Sequence, residues 1–212
     1  TEYEKSNSSV EKFIQKCVDL RANSSMQILI DNFGSVGEAR NAGLRNTKTP
    51  FVNFFDSDDE FFDSNIIAQS IESSKDIEVF CFGYEVLDFC NQNNYSVATP
   101  NSLTDLFSQN IGIWRFVFRR DLLLKNNLFF SNFKMGEDLL FLVNVISHNP
   151  QIEFREEKYY RYISGRDFQA TSNKKNFNES LPLMQNILES NLRADLKHLA
   201  YWRSFLGFVK KD

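Results

Sequence analysis

The chain has 212 residues, 42% hydrophobic and 25% charged, a balance that fits one globular domain with a substantial core. A formal net charge of −4 argues against nucleic acid as a main partner, because neutralising phosphates takes a basic face. Three cysteines without metal-ligand spacing, two widely separated histidines and no run of ~18 apolar residues point to a reduced, intracellular protein without a His-based metal site or a membrane span.

Ser8 and Glu11 form a capping-box pair ahead of Val10, Phe13, Ile14, Cys17 and Val18, which predicts a helix ending before Ala22. Met26 to Ile30 reads as a strand. After a turn at Gly34, Ser35 and Glu38 form a second capping box and predict a helix from Val36 to about Asn46. Pro50 then precedes a short buried strand, Phe51 to Phe55, and this β-α-β unit implies parallel pairing through a right-handed crossover. A helix over Ser64–Ser73, a strand over Glu78–Leu87, an Asn- and Ser-rich loop over Cys90–Asn101 and a short helix over Leu103–Phe107 follow. Trp114–Phe118 reads as a strand, Arg120–Asn126 and Asp138–His148 as helices, and Ile152–Tyr162 as an edge strand. Residues 164–176 read as a polar, mobile stretch, and Asn178–Val209 as one or two amphipathic helices interrupted at Asn191. The 22 phenylalanines fill the core where other chains use Leu or Val.

The chemistry concentrates where the Phe51 run ends in Asp56, Asp58 and Asp59. Acids at a strand's end repel one another unless a cation sits among them. Mg²⁺ or Mn²⁺ suits such hard oxygen ligands and then holds substrate phosphates. Ligands of open α/β sheets bind outside the carboxyl ends of the strands, which is where this cluster lies. The bare string also fits a solvated turn or a helix cap. An EF-hand is excluded, since Phe61 stands where Gly is required and Ile67 where the closing Glu would be. The helix start at Val36 offers free N–H groups to an anion. Farther on, Gly136-Glu137-Asp138 puts two acids at the head of another amphipathic helix.

Ala39-Arg40-Asn41-Ala42-Gly43-Leu44, then Phe55-Asp56-Ser57-Asp58-Asp59, then Gly136-Glu137-Asp138-Leu139-Leu140-Phe141 resembles the family 2 glycosyltransferases of the GT-A fold. The resemblance continues through Trp114–Leu123 and Tyr159–Tyr162 and covers residues 8–172. It implies an α/β domain over residues 1–172, a mostly parallel sheet flanked by helices, with a C-terminal helical extension over residues 173–212. It further implies an inverting enzyme that moves a sugar from a nucleotide-diphosphate donor to a glycan or lipid-linked acceptor, in the cytoplasm or at the inner face of the membrane. By this resemblance Asp58 ligates the divalent metal, Mn²⁺ or Mg²⁺, and Asp56 meets the donor's ribose or the metal shell. Asp138 is the general base, with Glu137 orienting it or binding the acceptor, and the two acids can exchange roles. Arg40 either faces the donor's phosphates or fixes its helix to the sheet by a salt bridge. Asn41 and Gly43 read as packing and helix-end residues, Trp114 as a core residue rather than an acceptor platform, and Arg166, Lys174 and Lys175 as solvated charges. The metal-side acids and the base are expected to line one cleft across a sugar-sized gap.

One departure concerns the start of the chain. Aligning Ser9–Gly43 with the family places Thr1 just after the turn that holds the nucleotide base, so the first strand and that turn are missing. A competing alignment matches Ile30–Ser35 to the turn, at the expense of a helix and a strand before Arg40. Two rivals remain open. A catalytically inert auxiliary or carbohydrate-binding domain would lack the base-binding turn. A sugar-phosphate nucleotidyltransferase would want a Gly-rich, basic loop after its first strand, and none is present.

Overall fold

The structure is a computed structural model that describes residues 27–166 and 180–209, with side chains as far as Phe205. The chain divides into two compact units, residues 1–32 and 33–212. The helix expected after Ser8 and most of the polar stretch at 164–176 lie outside the described residues. Residues 27–30 form no strand, contrary to the sequence reading, and Leu29 and Ile30 are exposed, so this apolar run has no sheet face to bury. Everything below belongs to the second unit.

Helix α1 spans Val36–Asn46, as its capping box predicts. The Ser35 side chain accepts the Glu38 N–H at 3.1 Å, and Glu38 Oε2 accepts the Gly34 N–H at 2.7 Å. Strands β1 (Phe51–Asn53), β2 (Glu60–Phe61), β3 (Val79–Asp88), β4 (Asn93–Val97), β5 (Phe116–Arg119) and β6 (Ile152–Ser164) make one sheet in the order β1-β5-β3-β6-β2, with β4 paired to β3. Between them lie α2 (Ser64–Ser73), α3 (Leu103–Ser108), α4 (Arg120–Lys125) and α5 (Glu137–Ile146), followed by α6 (Ser180–Glu189) and α7 (Ala194–Val209). The α/β class stands, but the described strands do not pair in the mostly parallel way expected. Only β3 and β6 pair in parallel, while β1–β5, β3–β5, β3–β4 and β2–β6 are antiparallel. Strand β5, antiparallel between β1 and β3, accounts for two of these pairings, and β1, β3 and β6 still point the same way.

Strand β3 is apolar over its first half, Val79 to Gly83, where it is covered on both faces. Val79 and Cys81 join a core with Leu44, Phe116, Phe118 and the apolar side of α5, and this core continues into Leu183, Ile187, Leu196 and Ala200 of the C-terminal helices. Phe80, Phe82 and Tyr84 alternate to the other face, with Trp114, Tyr159 and Tyr160, against Ile66, Ile67 and Ile71. No described helix is long and apolar enough to cross a membrane.

Three local expectations change. The loop over Cys90–Asn101 contains β4, an exposed and polar strand without the alternation that marks half-buried strands. Asp88 makes its turn, accepting the N–H groups of Cys90 at 2.9 Å and Asn91 at 3.2 Å, while Gln92 adopts φ 55°. The strand at Trp114 begins two residues late, after a single 3₁₀ turn over Ile113–Arg115. Strand β6 is not an edge: it pairs with β3 on one side and, near its end, with β2 on the other.

Candidate active site

Arg40 draws the acids together. It projects from α1 and its side chain is 10% exposed. Nη2 donates to Asp56 Oδ1 at 2.8 Å, Nη1 donates to Asp138 Oδ1 at 2.6 Å, and Nη1 lies 3.3 Å from Glu137 Oε1. Of the two readings left open for Arg40, the structure shows the salt bridge. It links the end of β1 to the head of α5, residues that lie some eighty positions apart.

Uncharged contacts place this cluster. Asn41 brackets the backbone of Phe130, donating to its carbonyl at 2.9 Å and accepting its N–H at 2.8 Å. A Cβ on Gly37 would come within 2.3 Å of the Ser131 carbonyl oxygen, so α1 lies directly on the backbone at 130–131. At the head of α5, Gly136 has φ 84°, and a Cβ there would meet Leu183 at 2.4 Å; glycine alone meets both demands. Glu137 and Asp138 therefore open α5, whose N-terminal N–H groups favour negative charge.

Three carboxylates share one guanidinium, and the proton affinities of Glu137 and Asp138 are raised. Burial pushes Asp138 up to about 7; Arg40 and the Ile113 N–H (3.2 Å from Oδ2) pull down, and Glu137 and Asp56 push up. Burial also raises Glu137. Burial works to lower Arg40, yet its three acidic partners hold it above its ordinary value. Asp138 thus keeps a proton up to near neutral pH, beside a Glu137 that is itself raised.

A second cluster lies a few residues on from Asp56. Asp58 is 59% exposed, whereas the side chain of its neighbour Asp59 is 1% exposed. Asp59 is not the helix cap that its sequence position suggests; Asp63 caps α2. Asp59 instead accepts the Tyr160 hydroxyl at 2.6 Å, the Ile163 N–H at 2.9 Å and Arg166 Nη2 at 3.0 Å. Arg166 Nη2 also lies 2.9 Å from Asp58 Oδ2, and Nη1 donates to the Asp58 carbonyl. Arg166, read from sequence as solvated charge, is thus bound into the site. Its acidic partners are more than a hundred positions away, and no local pattern gives them. Lys174 and Lys175 lie outside the described residues.

A cavity of about 780 Å³ opens beside the first cluster. Asp56, Glu137 and Asp138 line it with Trp114, Tyr162 and Trp202, while Asp58 is not among its lining residues. Trp114 is 3% exposed and stacks between Tyr160 (4.6 Å) and Tyr162 (5.8 Å), so it is both a core residue and part of the cavity wall. Asp56 and Asp138 share one cavity as expected, but a single guanidinium joins them, so no sugar fits between these two.

With this geometry in hand, solved structures give the fold a reference. Residues 1–349 of S. aureus TarS bound to UDP-GlcNAc superpose with a TM-score of 0.70 at 18% identity, over 94% of this chain and 61% of that one. The GT-A fold is shared. The same TarS fragment bound to UDP gives 0.67 at 19% identity, over 91% and 57%, and the longer TarS structure gives 0.65 at 19%, over 93% and 35%. No protein-family model and no curated protein matches the sequence. The chain therefore spans about 61% of the length of the TarS fragment it resembles.

Proposed function

We propose that this chain carries the catalytic centre of an inverting, family 2-like glycosyltransferase, moving a sugar from a nucleoside-diphosphate donor to a hydroxyl of a glycan or lipid-linked acceptor. The observation that supports this most is the convergence on Arg40 of Asp56, Glu137 and Asp138 at the wall of one cavity. Asp138 takes the proton of the attacking hydroxyl, because it lines the cavity and its affinity for a proton lies close to neutral pH. Arg40 and the Ile113 N–H fix the orientation of that carboxylate, and the charge of Glu137 raises its proton affinity. Asp58, exposed and rich in hard oxygen, would hold Mn²⁺ or Mg²⁺ with help from Asp56, one or two carboxylates being the usual protein share where phosphates supply the rest. Such an ion offsets the charge that builds on the departing nucleoside diphosphate.

UDP is the first nucleotide to try, since TarS binds it. Mn²⁺ and UDP together should raise the melting temperature, as a ligand bound only by the native state does. Asp58→Ala should remove that shift, and a shift that persists in the variant places the metal elsewhere. A second reading, an inert GT-A-like domain, has one observation in its favour: Arg40 and Arg166 already neutralise the acids internally. It requires that no Mn²⁺-dependent transfer or donor hydrolysis be detected while UDP still binds.

A further inference from the structure

The cavity that is acidic at Asp138 is cationic elsewhere. Arg203, from α7, lines it with a half-buried side chain, and among the described residues no carboxylate lies within ion-pair distance of it. Burial pushes its pKa down, and Tyr84 is the only group acting against that. Behind the Tyr84 ring lies a second guanidinium, Arg115, 0% exposed and 5.0 Å from the ring centroid. Arg115 donates to the Phe82 carbonyl at 3.0 Å and to Gln109 Oε1 and the Asn110 carbonyl at 3.2 Å, all neutral acceptors, and its Nη2 is buried without a partner. The nearby Cys81 thiol, pushed up to about 12 by burial, stays protonated, and Tyr84 is raised too, so neither serves as counter-ion.

Arginine keeps its charge under these conditions, and a charge removed from water without a counter-ion is costly. Arg203 stands in the wall of a cavity that also includes Trp114, Tyr162 and Trp202, flat faces suited to sugar rings, and Arg115 is buried against Tyr84 outside that wall. A neutral glycan would leave Arg203 as it is. An anionic group would complete it, because the guanidinium fork matches phosphate and carboxylate oxygens.

We propose that Arg203 is an anion subsite for the acceptor: the acceptor is a glycan bearing an acidic group, phosphate or carboxylate, held against Arg203 while a hydroxyl faces Asp138. This rests on the glycosyltransferase reading above and adds the acceptor's charge to it.

The test titrates three probes with the same ring, methyl glucoside, methyl glucuronide and methyl glucoside 6-phosphate, against the protein loaded with UDP and Mn²⁺. Fluorescence of Trp114 and Trp202 in the cavity reports binding. At least one acidic probe should bind about tenfold more tightly than the neutral one, given the strength of charge-assisted hydrogen bonds. The carboxylate and phosphate arms then tell which anion is preferred. Arg203→Met should erase the preference, Arg203→Lys should keep part of it, and UDP affinity should be unchanged in both. Arg203→Gln repeats the measurement if the Met variant does not fold. Equal binding of all three probes overturns the inference while intact UDP binding leaves the enzyme reading standing. A large loss of UDP affinity in Arg203→Met also overturns it, by assigning the arginine to the donor diphosphate. Absence of UDP binding in the unaltered protein removes the enzyme reading and this inference with it.

Discussion

Two arginines each gather carboxylates here, and the clusters differ in what they do with them. Arg40 is 10% exposed and holds three acids, and burial, with repulsion from neighbouring acids adding to it, raises the proton affinity of Glu137 and Asp138. Arg166 holds one buried acid and one exposed acid, and the buried one is satisfied by Tyr160 and Ile163 as well. The first cluster stores a proton; the second presents a carboxylate, Asp58, to solvent beside an anchored cation. Adjacent aspartates in one motif thus have opposite duties. Asp59 fixes the position of Arg166, and Asp58 remains accessible to a ligand.

The sharpest break of this contrast is in the chemistry. Asp138→Asn keeps the shape but removes the proton acceptor, and transfer should fall by roughly 10²–10⁴-fold with UDP affinity kept. If Glu137→Gln shows that loss in single-turnover assays and Asp138→Asn stays active, the roles within the pair are exchanged. Next in size is Arg40→Met, which strands three partly buried acids without a cation. Removing one partner of a buried ion cluster should cost about 3 kcal/mol in urea unfolding at pH 7. The loss should shrink toward pH 4, where the acids can protonate; a variant as stable as the parent at pH 7 would mean the cluster is solvated.

A smaller effect distinguishes the proton-storing cluster by pH. The folded protein holds a proton on Asp138 up to about 7, whereas the unfolded chain releases it near 3.8. Stability from this group is therefore fully present below the unfolded value and falls as pH rises between the two. Parallel urea titrations should show that fall flattened in Asp138→Asn, and an unchanged slope would assign the raised affinity to another group. The smallest change in stability is expected from Arg166→Gln, about 1 kcal/mol, since Asp59 keeps two hydrogen bonds. Its value lies in another measurement: without the guanidinium beside Asp58, Mn²⁺ alone should bind several-fold more tightly by calorimetry, as a competing opposite charge has been removed. Equal Mn²⁺ affinity in the two proteins would show that Arg166 and the metal do not compete.

Elements whose signal is local were legible. The capping box at Ser35 and Glu38 gave α1 its start, and the apolar periodicities of α2 and α5 placed them to within two residues. The acids at Asp56 and Asp138 could be singled out because a strand end and a helix head are short-range features. Strand β4 was hidden, since an exposed strand held mainly by its partner's backbone has no apolar alternation. The pairing directions were also hidden: β5 inserts between β1 and β3, a choice made by the whole sheet rather than by its own residues. Arg166 reads as an ordinary surface charge in the sequence, and nothing there singles out Arg203, because what makes them unusual is burial, and burial arrives from elements far away in the chain.

The seat of α1 on residues 130–131 carries a consequence for how such a site changes over time. Turning the helix by one residue, about 100°, would swing Arg40 away from every acid it holds. The Asn41 bracket and the bare face of Gly37 forbid that turn. The separation between the β1 side and the α5 side is thus gauged by an amide and a missing methyl group. Substitutions at Gly37, Asn41 or Phe130 would re-space the two sides with every charged residue retained, so the grip of Arg40 on its acids can drift through residues that no inspection of the acids would single out.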